Sequence, residues 1–181
     1  MDVSALFLEP HQDDAVLFAC WTLLRHRPHV VTVLRSVNQE ANGITAAERE
    51  AENEEAMAML GCDWRQWNHP DNDPNWGVIR RMLEIEDAGG RPTRVFAPWP
   101  DEPGAHAQHR RIGELAEAVF GSERVSFYTT YAVGGDKTRR REVPYEREWI
   151  PLKLRALACY ESQILRGPHR FWMMDIREYE P

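Results

Sequence analysis

What most constrains this chain is a regular alternation, between residues 5 and 130, of short apolar or β-branched runs with longer stretches of helical periodicity. Residues 5–9 (Ala-Leu-Phe-Leu-Glu), 29–34 (His-Val-Val-Thr-Val-Leu), 63–67, 94–98 and 124–130 read as strands. Helices are predicted between them at 14–25, 46–60, 76–87 and 106–120; in the first, Val16, Leu17, Cys20, Leu23 and Leu24 recur on one face. Strand–helix alternation requires right-handed crossovers and a mainly parallel sheet covered on both sides, a three-layer α/β fold. In such sheets ligands lie at the carboxyl ends of the strands, where strand order reverses.

The punctuation agrees with these boundaries. Pro28 stops the first helix, Thr45 and Glu48 form a capping box for the second, and Gly61 suits its end. Residues 38–43 form a polar loop, 68–75 are turn chemistry, and Gly89 and Gly90 end the third helix. Residues 132–148 are irregular and charged, 151–165 a last helix with Pro151 in its first turn, and 171–178 an edge strand. No repeat or linker divides the chain, so residues 1–181 are expected to form one domain.

Composition narrows the function. A net charge of -7 argues against intact nucleic acid as a partner, since phosphate binding needs a basic surface. The one basic cluster, Lys137, Arg139, Arg140 and Arg141, reads as a solvated turn that can at most meet an anionic part of a substrate. Cys20, Cys62 and Cys159 are odd in number and lie in apolar contexts, so buried free thiols in a reducing compartment are expected. No apolar run is long enough to span a bilayer and no basic segment precedes one, which points to the cytoplasm. There is no glycine-rich dinucleotide or nucleotide-triphosphate motif after the first strand.

Chemistry concentrates in two turns. His11-Gln12-Asp13-Asp14 follows the first strand, and His106 and His109 open the helix after the fourth, on one helical face. Each has a plain structural reading: aspartates cap helices, and histidines tolerate an exposed helix start. Together they are more specific. If the fourth strand lies beside the first, His109 joins His11 and Asp14 around one divalent metal, with a coordination position left open as in catalytic zinc sites.

The two motifs, His11-Gln12-Asp13-Asp14 and His106-Ala107-Gln108-His109, resemble those of the LmbE/PIG-L family of zinc-dependent N-deacetylases. The resemblance runs from about Leu6 to Gln163. Arg49-Glu50-Ala51-Glu52 with Ala56 and Leu60-Gly61 is similar to the family's second helix. Lys153, Ala156, Leu157, Tyr160, Ser162 and Gln163 resemble its C-terminal signature. The resemblance implies a three-layer, Rossmann-like fold with a mainly parallel central sheet, and hydrolysis of the acetamide of an N-acetylglucosamine-type small molecule. It also implies one zinc per chain, with iron(II) suited to the same ligands. His11, Asp14 and His109 would be the ligands, Asp13 the general base, and His106 the group that polarises the carbonyl or protonates the leaving amine. Arg49 and Asp71 match positions that contact substrate hydroxyls; equally, Arg49 can pair with a glutamate on its own helix and Asp71 can organise a turn. Trp67, Trp76, Trp99 and Tyr131 lie on or near the expected site loops and are read as packing residues.

Three positions depart from the family pattern. Gln12 stands where Pro is usual and is expected to loosen the turn. Ala15 replaces a glutamate that would support the ligands, and Gln108 replaces a carboxylate that would orient His106. His106 is therefore expected to act as a neutral or weakly basic electrophile. Two other readings stay open: an amidase for another N-acyl small molecule (a thiol conjugate or a modified nucleoside), and a sugar- or metal-binding relative without turnover. An oligomer is compatible with all of them.

Overall fold

The first strand, β1 (Ala5–Glu9), is buried along its whole length and forms the centre of the sheet. The computed structural model describes residues 5–37, 43–88, 91–130, 140–166 and 176–181. After β1 come α1 (Asp14–His26), β2 (His29–Arg35), α2 (Ala46–Leu60), β3 (Trp64–Pro70), α3 (Trp76–Glu86), β4 (Arg94–Pro98), α4 (Ala107–Phe120) and β5 (Val125–Tyr128). A short C-terminal part follows: β6 (Arg141–Glu142), α5 (Ile150–Ala158), α6 (Glu161–Leu165) and β7 (Tyr179–Glu180). The five-stranded sheet has the order β3-β2-β1-β4-β5, and every pairing in it is parallel. The order reverses at β1, so the crevice beyond the ends of β1 and β4 is where this topology places a ligand.

The period-2 alternation of the strands divides the core in two. Ala5, Phe7, Val30 and Phe96 face α1, α2 and α5, whereas Leu6, Leu8, Val95 and Ala97 face α3 and α4. The predicted caps are present in part. Thr45 Oγ1 accepts the Glu48 N–H at 3.1 Å, but the Glu48 side chain pairs with Arg166 and does not return to the cap. Gly61 closes α2 at φ 67°, a left-handed position that glycine takes without steric cost.

Four expectations need correction. β3 runs on to Pro70, past the predicted end at 67, because pairing of His69 and Pro70 with Leu34 and Arg35 overrides their turn preference; Pro70 is tolerated on an edge strand. The single helix expected over 151–165 is two, broken where Tyr160 turns into the interior, fully buried, and its hydroxyl bonds Asn53. Of the edge strand expected over 171–178 only 176–178 are described, and they are not strand; β7, which follows them, pairs antiparallel with β6 in a separate two-stranded sheet. Cys20 and Cys62 are buried free thiols, whereas Cys159 is only half-buried, at the break between α5 and α6. Residues 38–42, Gly89, Gly90, Tyr131, Lys137, Arg139 and residues 171–175 lie outside the described residues. Among the described residues no helix is long and apolar enough to cross a membrane.

Helix α1 is kinked at Ala19 (φ -146°). At that point Glu178 accepts the Trp21 N–H at 2.9 Å and Lys153 Nζ donates to the Leu17 carbonyl at 3.1 Å. Leu17 C=O and Trp21 N–H are the two groups that a regular helix would pair with each other. Lys153 and Glu178 also bond each other at 2.7 Å, so a buried ion pair is spliced into the helix at its kink. This gives Lys153, the first residue of the C-terminal signature, a structural task.

Candidate metal centre

β1 ends at Glu9, and the chain turns at Pro10 to bring His11, Asp13 and Asp14 over the end of the sheet. Asp13 makes the turn with φ 115°, a conformation that non-glycine residues seldom adopt and that Asp and Asn tolerate best. The adjacent β4 sends its chain through residues 99–105 into α4, with His106 as the N-cap residue and His109 in the first turn. The condition set by the sequence, β4 beside β1, is met.

His11, Asp14 and His109 converge. His11 Nδ1, Asp14 Oδ2 and His109 Nε2 form a triangle whose three edges are each 3.2 Å. A tetrahedral ion with bonds near 2.0–2.1 Å has ligand–ligand edges of about 3.3–3.4 Å, so this donor set fits zinc with little movement. The His11 side chain is 17% exposed against 4% for Asp14 and 1% for His109, so access to the triangle is from the His11 side.

Electrostatics support a cation here. Burial by itself would raise the Asp14 carboxyl. The charge of His109 and hydrogen bonds from His109 and His11 outweigh it and hold Asp14 well below the usual carboxylate range. Burial opposes protonation of His11, yet its hydrogen bond to Asp14 and the charge of Asp14 raise it overall. A site that favours the ionised form of one carboxylate between two imidazole nitrogens is the setting in which a divalent ion binds.

Asp13 stands outside the triangle and is buried. Arg49 Nη2 lies 2.8 Å from Asp13 Oδ2, and the same guanidinium donates to Ser36 Oγ at 2.7 Å and to the Gln12 carbonyl. Of the two sequence readings of Arg49, pairing with a glutamate of α2 is not what the structure shows: the buried guanidinium fixes Asp13. Asp71 Oδ1 accepts the Val37 N–H at 3.0 Å, the turn-organising arrangement. Gln12 does not loosen the turn, because it is fully buried and its side chain bonds Ser36 at 2.9 Å and Gln66 at 2.8 Å. Ala15 packs in the core, and its N–H donates to Glu9 Oε2 at 3.1 Å. Glu9 thus places a carboxylate beneath the turn that lacks one at position 15, and burial pushes it up to about 7.

His106 is exposed at the edge of the site, its ring centroid 6.0 Å from that of His11 and 5.9 Å from that of His109. Its Nδ1 accepts the Gln108 N–H at 3.4 Å. Burial and the neighbouring His109 and His11 push it below the usual imidazole value. The Gln108 side chain does not orient His106, as its position in the motif suggested; it reaches His11. Trp67 is a core residue, and Trp76 packs against the same cluster.

Sequence reasoning missed Ser36, Gln66 and Gly113. An isolated glycine inside a helical pattern was the available signal for Gly113. A Cβ at Gly113 would stand 2.2 Å from the Pro98 carbonyl oxygen, so α4 packs directly on the end of β4. Gly113→Ala is expected to push α4 outward, lowering stability by about 1–3 kcal/mol as overpacking does. Because His109 rides on that helix, metal affinity should fall with it. Thermal unfolding with and without zinc checks both, and an unchanged midpoint would refute the close-packing argument.

The model of the PIG-L family, described as GlcNAc-PI de-N-acetylase, matches residues 6–120. No curated protein matches the chain in sequence. Among solved structures, a deacetylase of the teicoplanin biosynthesis pathway is similar with TM-score 0.72 and 18% identity, over 94% of this chain and 89% of that one. N,N'-diacetylchitobiose deacetylase from Pyrococcus horikoshii is similar with TM-score 0.64 and 22% identity, over 93% of this chain and 73% of that one. A 4-carboxy-2-hydroxymuconate hydratase from Pseudomonas putida KT2440 also shares the fold, with TM-score 0.58 and 16% identity, over 93% of this chain and 80% of that one. The fold therefore carries more than one chemistry, and the reaction has to be argued from the site.

Proposed function

The chain belongs to the PIG-L, GlcNAc-PI de-N-acetylase, family, and from that premise we propose that residues 1–181 form one zinc-dependent N-deacetylase domain. Its substrate is the acetamide of an N-acetylglucosamine-type small molecule. The observation that carries the reading is the triangle of His11, Asp14 and His109 with an ion-paired carboxylate, Asp13, beside it and an imidazole, His106, on its rim. A divalent ion in the triangle would supply Lewis acidity, polarising the acetamide carbonyl and acidifying water.

The chain's own residues do the rest. Asp13, fixed by Arg49, takes a proton from the attacking water and passes it on to the departing amine. His106 accepts a backbone N–H at Nδ1, so its neutral ring carries the proton on Nε2, from which it donates to the carbonyl oxygen as negative charge develops there. Arg49 serves the substrate through Asp13, and Asp71 through its backbone carbonyl, which accepts from the Gln108 side chain that reaches His11. Retention of all five polar groups favours turnover over a binding-only relative. The acidic balance of the chain leaves a modified nucleoside, but not intact nucleic acid, as an alternative substrate.

Acetate release from N-acetylglucosamine, its simple glycosides and N-acetylated thiol conjugates, by metal-free and zinc- or iron-loaded protein, tests the proposal. Metal-dependent release from the sugars is expected. Release confined to the conjugates would transfer the activity to another N-acyl class, and no release from any of them would leave a binding role. The pH profile tests His106. Its proton is lost below the usual imidazole range, so a limb due to this residue lies on the acidic side, and the rate should not fall from neutral to mildly alkaline pH. His106→Gln, which keeps a neutral donor, should retain more activity than His106→Ala. A falling alkaline limb that vanishes in His106→Gln would mean an imidazolium acid instead.

A further inference from the structure

Resting on the metal-site reading above, we infer that Gln108 is a positioning residue that selects which nitrogen of His11 faces the metal, using the backbone carbonyl of Asp71 as its reference. Gln108 Nε2 donates to the Asp71 carbonyl, and Gln108 Oε1 lies 2.9 Å from His11 Nε2. A carbonyl oxygen only accepts, so the amide must turn its NH2 toward Asp71 and its oxygen toward His11. An amide oxygen also only accepts, so His11 must carry its hydrogen on Nε2. The neutral ring then has its lone pair on Nδ1, the atom at the corner of the triangle, 3.2 Å from Asp14 Oδ2 and from His109 Nε2. The polarity of one peptide carbonyl is thus relayed over two hydrogen bonds to a metal-ready nitrogen.

Asp71 is itself anchored. Its N–H donates to the Arg35 carbonyl at 3.0 Å, and its Oδ1 accepts the Val37 N–H at 3.0 Å, which fixes the segment after β3 to the end of β2. The relay therefore ties His11, after β1, to the neighbouring β2–β3 end through a residue of α4. A carboxylate at position 108 could not do this in the same way. It would accept from His11 but present a second acceptor to the Asp71 carbonyl. The amide is what allows both contacts at once.

The experiment reads zinc affinity by chelator competition and the His11 tautomer by nitrogen-15 NMR of the imidazole ring, without any substrate. In the zinc-loaded wild type, His11 is expected to be protonated at Nε2 with the metal on Nδ1. The same tautomer is expected in metal-free protein above the imidazole titration range. Gln108→Leu should weaken zinc binding by about 10–100-fold, as loss of a partner to a ligating histidine does, and release the tautomer preference. Gln108→Glu keeps an acceptor toward Nε2 and should preserve the tautomer, even if Gln108→Leu fails to fold. Nδ1-protonated His11 in the wild type, or an unchanged affinity in Gln108→Leu, would overturn the inference. So would a weakened affinity with the tautomer intact, which would reduce Gln108 to packing. Because none of these readouts involves catalysis, the relay can stand where the deacetylase reading fails. The metal-free tautomer decides it even if zinc does not bind.

Discussion

Asp13→Asn is expected to lower acetate release by about a hundred- to ten-thousand-fold while zinc stays bound at close to the wild-type affinity. The separation follows from geometry. The three candidate ligand atoms belong to His11, Asp14 and His109, and Asp13 lies off that triangle, held by Arg49 at 2.8 Å. Asn has the same shape, tolerates the φ of 115° that this turn requires, and still offers an oxygen to Arg49. What it lacks is the capacity to take a proton. The substitution also leaves the buried Arg49 charge with neutral partners alone: the new amide oxygen, Ser36 Oγ and the Gln12 carbonyl. Stability should fall by about 3–5 kcal/mol, as when one partner of a buried ion pair is removed. Rates therefore have to be compared at a temperature where unfolding curves show both proteins folded. Arg49→Lys is the companion variant: it keeps the charge but loses the fork that reaches Asp13, Ser36 and the Gln12 carbonyl together, so activity should fall without loss of metal. Asp13→Asn retaining activity with zinc bound would remove Asp13 from the base role.

The second large effect lies far from the metal. Lys153→Met is expected to destabilise the protein by about 3–5 kcal/mol, because it leaves the Glu178 carboxylate buried without its cation. Lys153 is 0% exposed; besides Glu178 at 2.7 Å it reaches the Leu17 carbonyl at 3.1 Å and lies 4.9 Å from the centroid of the Trp21 ring. The double variant Lys153→Met/Glu178→Leu removes both charges and should recover part of the loss. It should not recover all of it, because the Trp21 N–H and Leu17 carbonyl at the kink lose their side-chain partners. The cycle of urea midpoints measures the coupling directly. Additive single effects would show that the two residues act separately and that the ion pair is not what supports the kink. The splice also gives the C-terminal tail a bearing on the site, since α1 begins at Asp14, a corner of the candidate metal triangle.

The convergence of His11, Asp14 and His109 could be read from the sequence because the fold makes their placement nearly compulsory. A buried strand of Ala5, Leu6, Phe7 and Leu8 must be central, a right-handed crossover must follow it, and the ends of β1 and β4 then border one crevice. His11, Asp14 and His109 sit within the first turns beyond those ends, where the uncertainty of a helix boundary is too small to misplace them. α2 was legible from Ala46 to Leu60 for a similar local reason: Thr45 and Gly61 are chemical punctuation that acts over three or four residues.

What the sequence left open consists of contacts between residues far apart in the chain. The periodicity of 151–165 gives one helix, but burial of Tyr160 against Asn53 breaks it. Local spacing offers Arg49 a glutamate of its own helix, but its partner, Asp13, lies on another part of the chain. Gln108 was read against its neighbour His106, whereas its side chain spans His11 and Asp71. Local propensity and hydrophobic period determine strands, helices and the turns that carry the ligands, because those energies are settled within a few residues. The partner that a long polar side chain takes depends on which backbone and side-chain groups are left unsatisfied when the layers close. Only the tertiary structure decides that, since an unpaired buried donor or acceptor costs more than any local preference can offset.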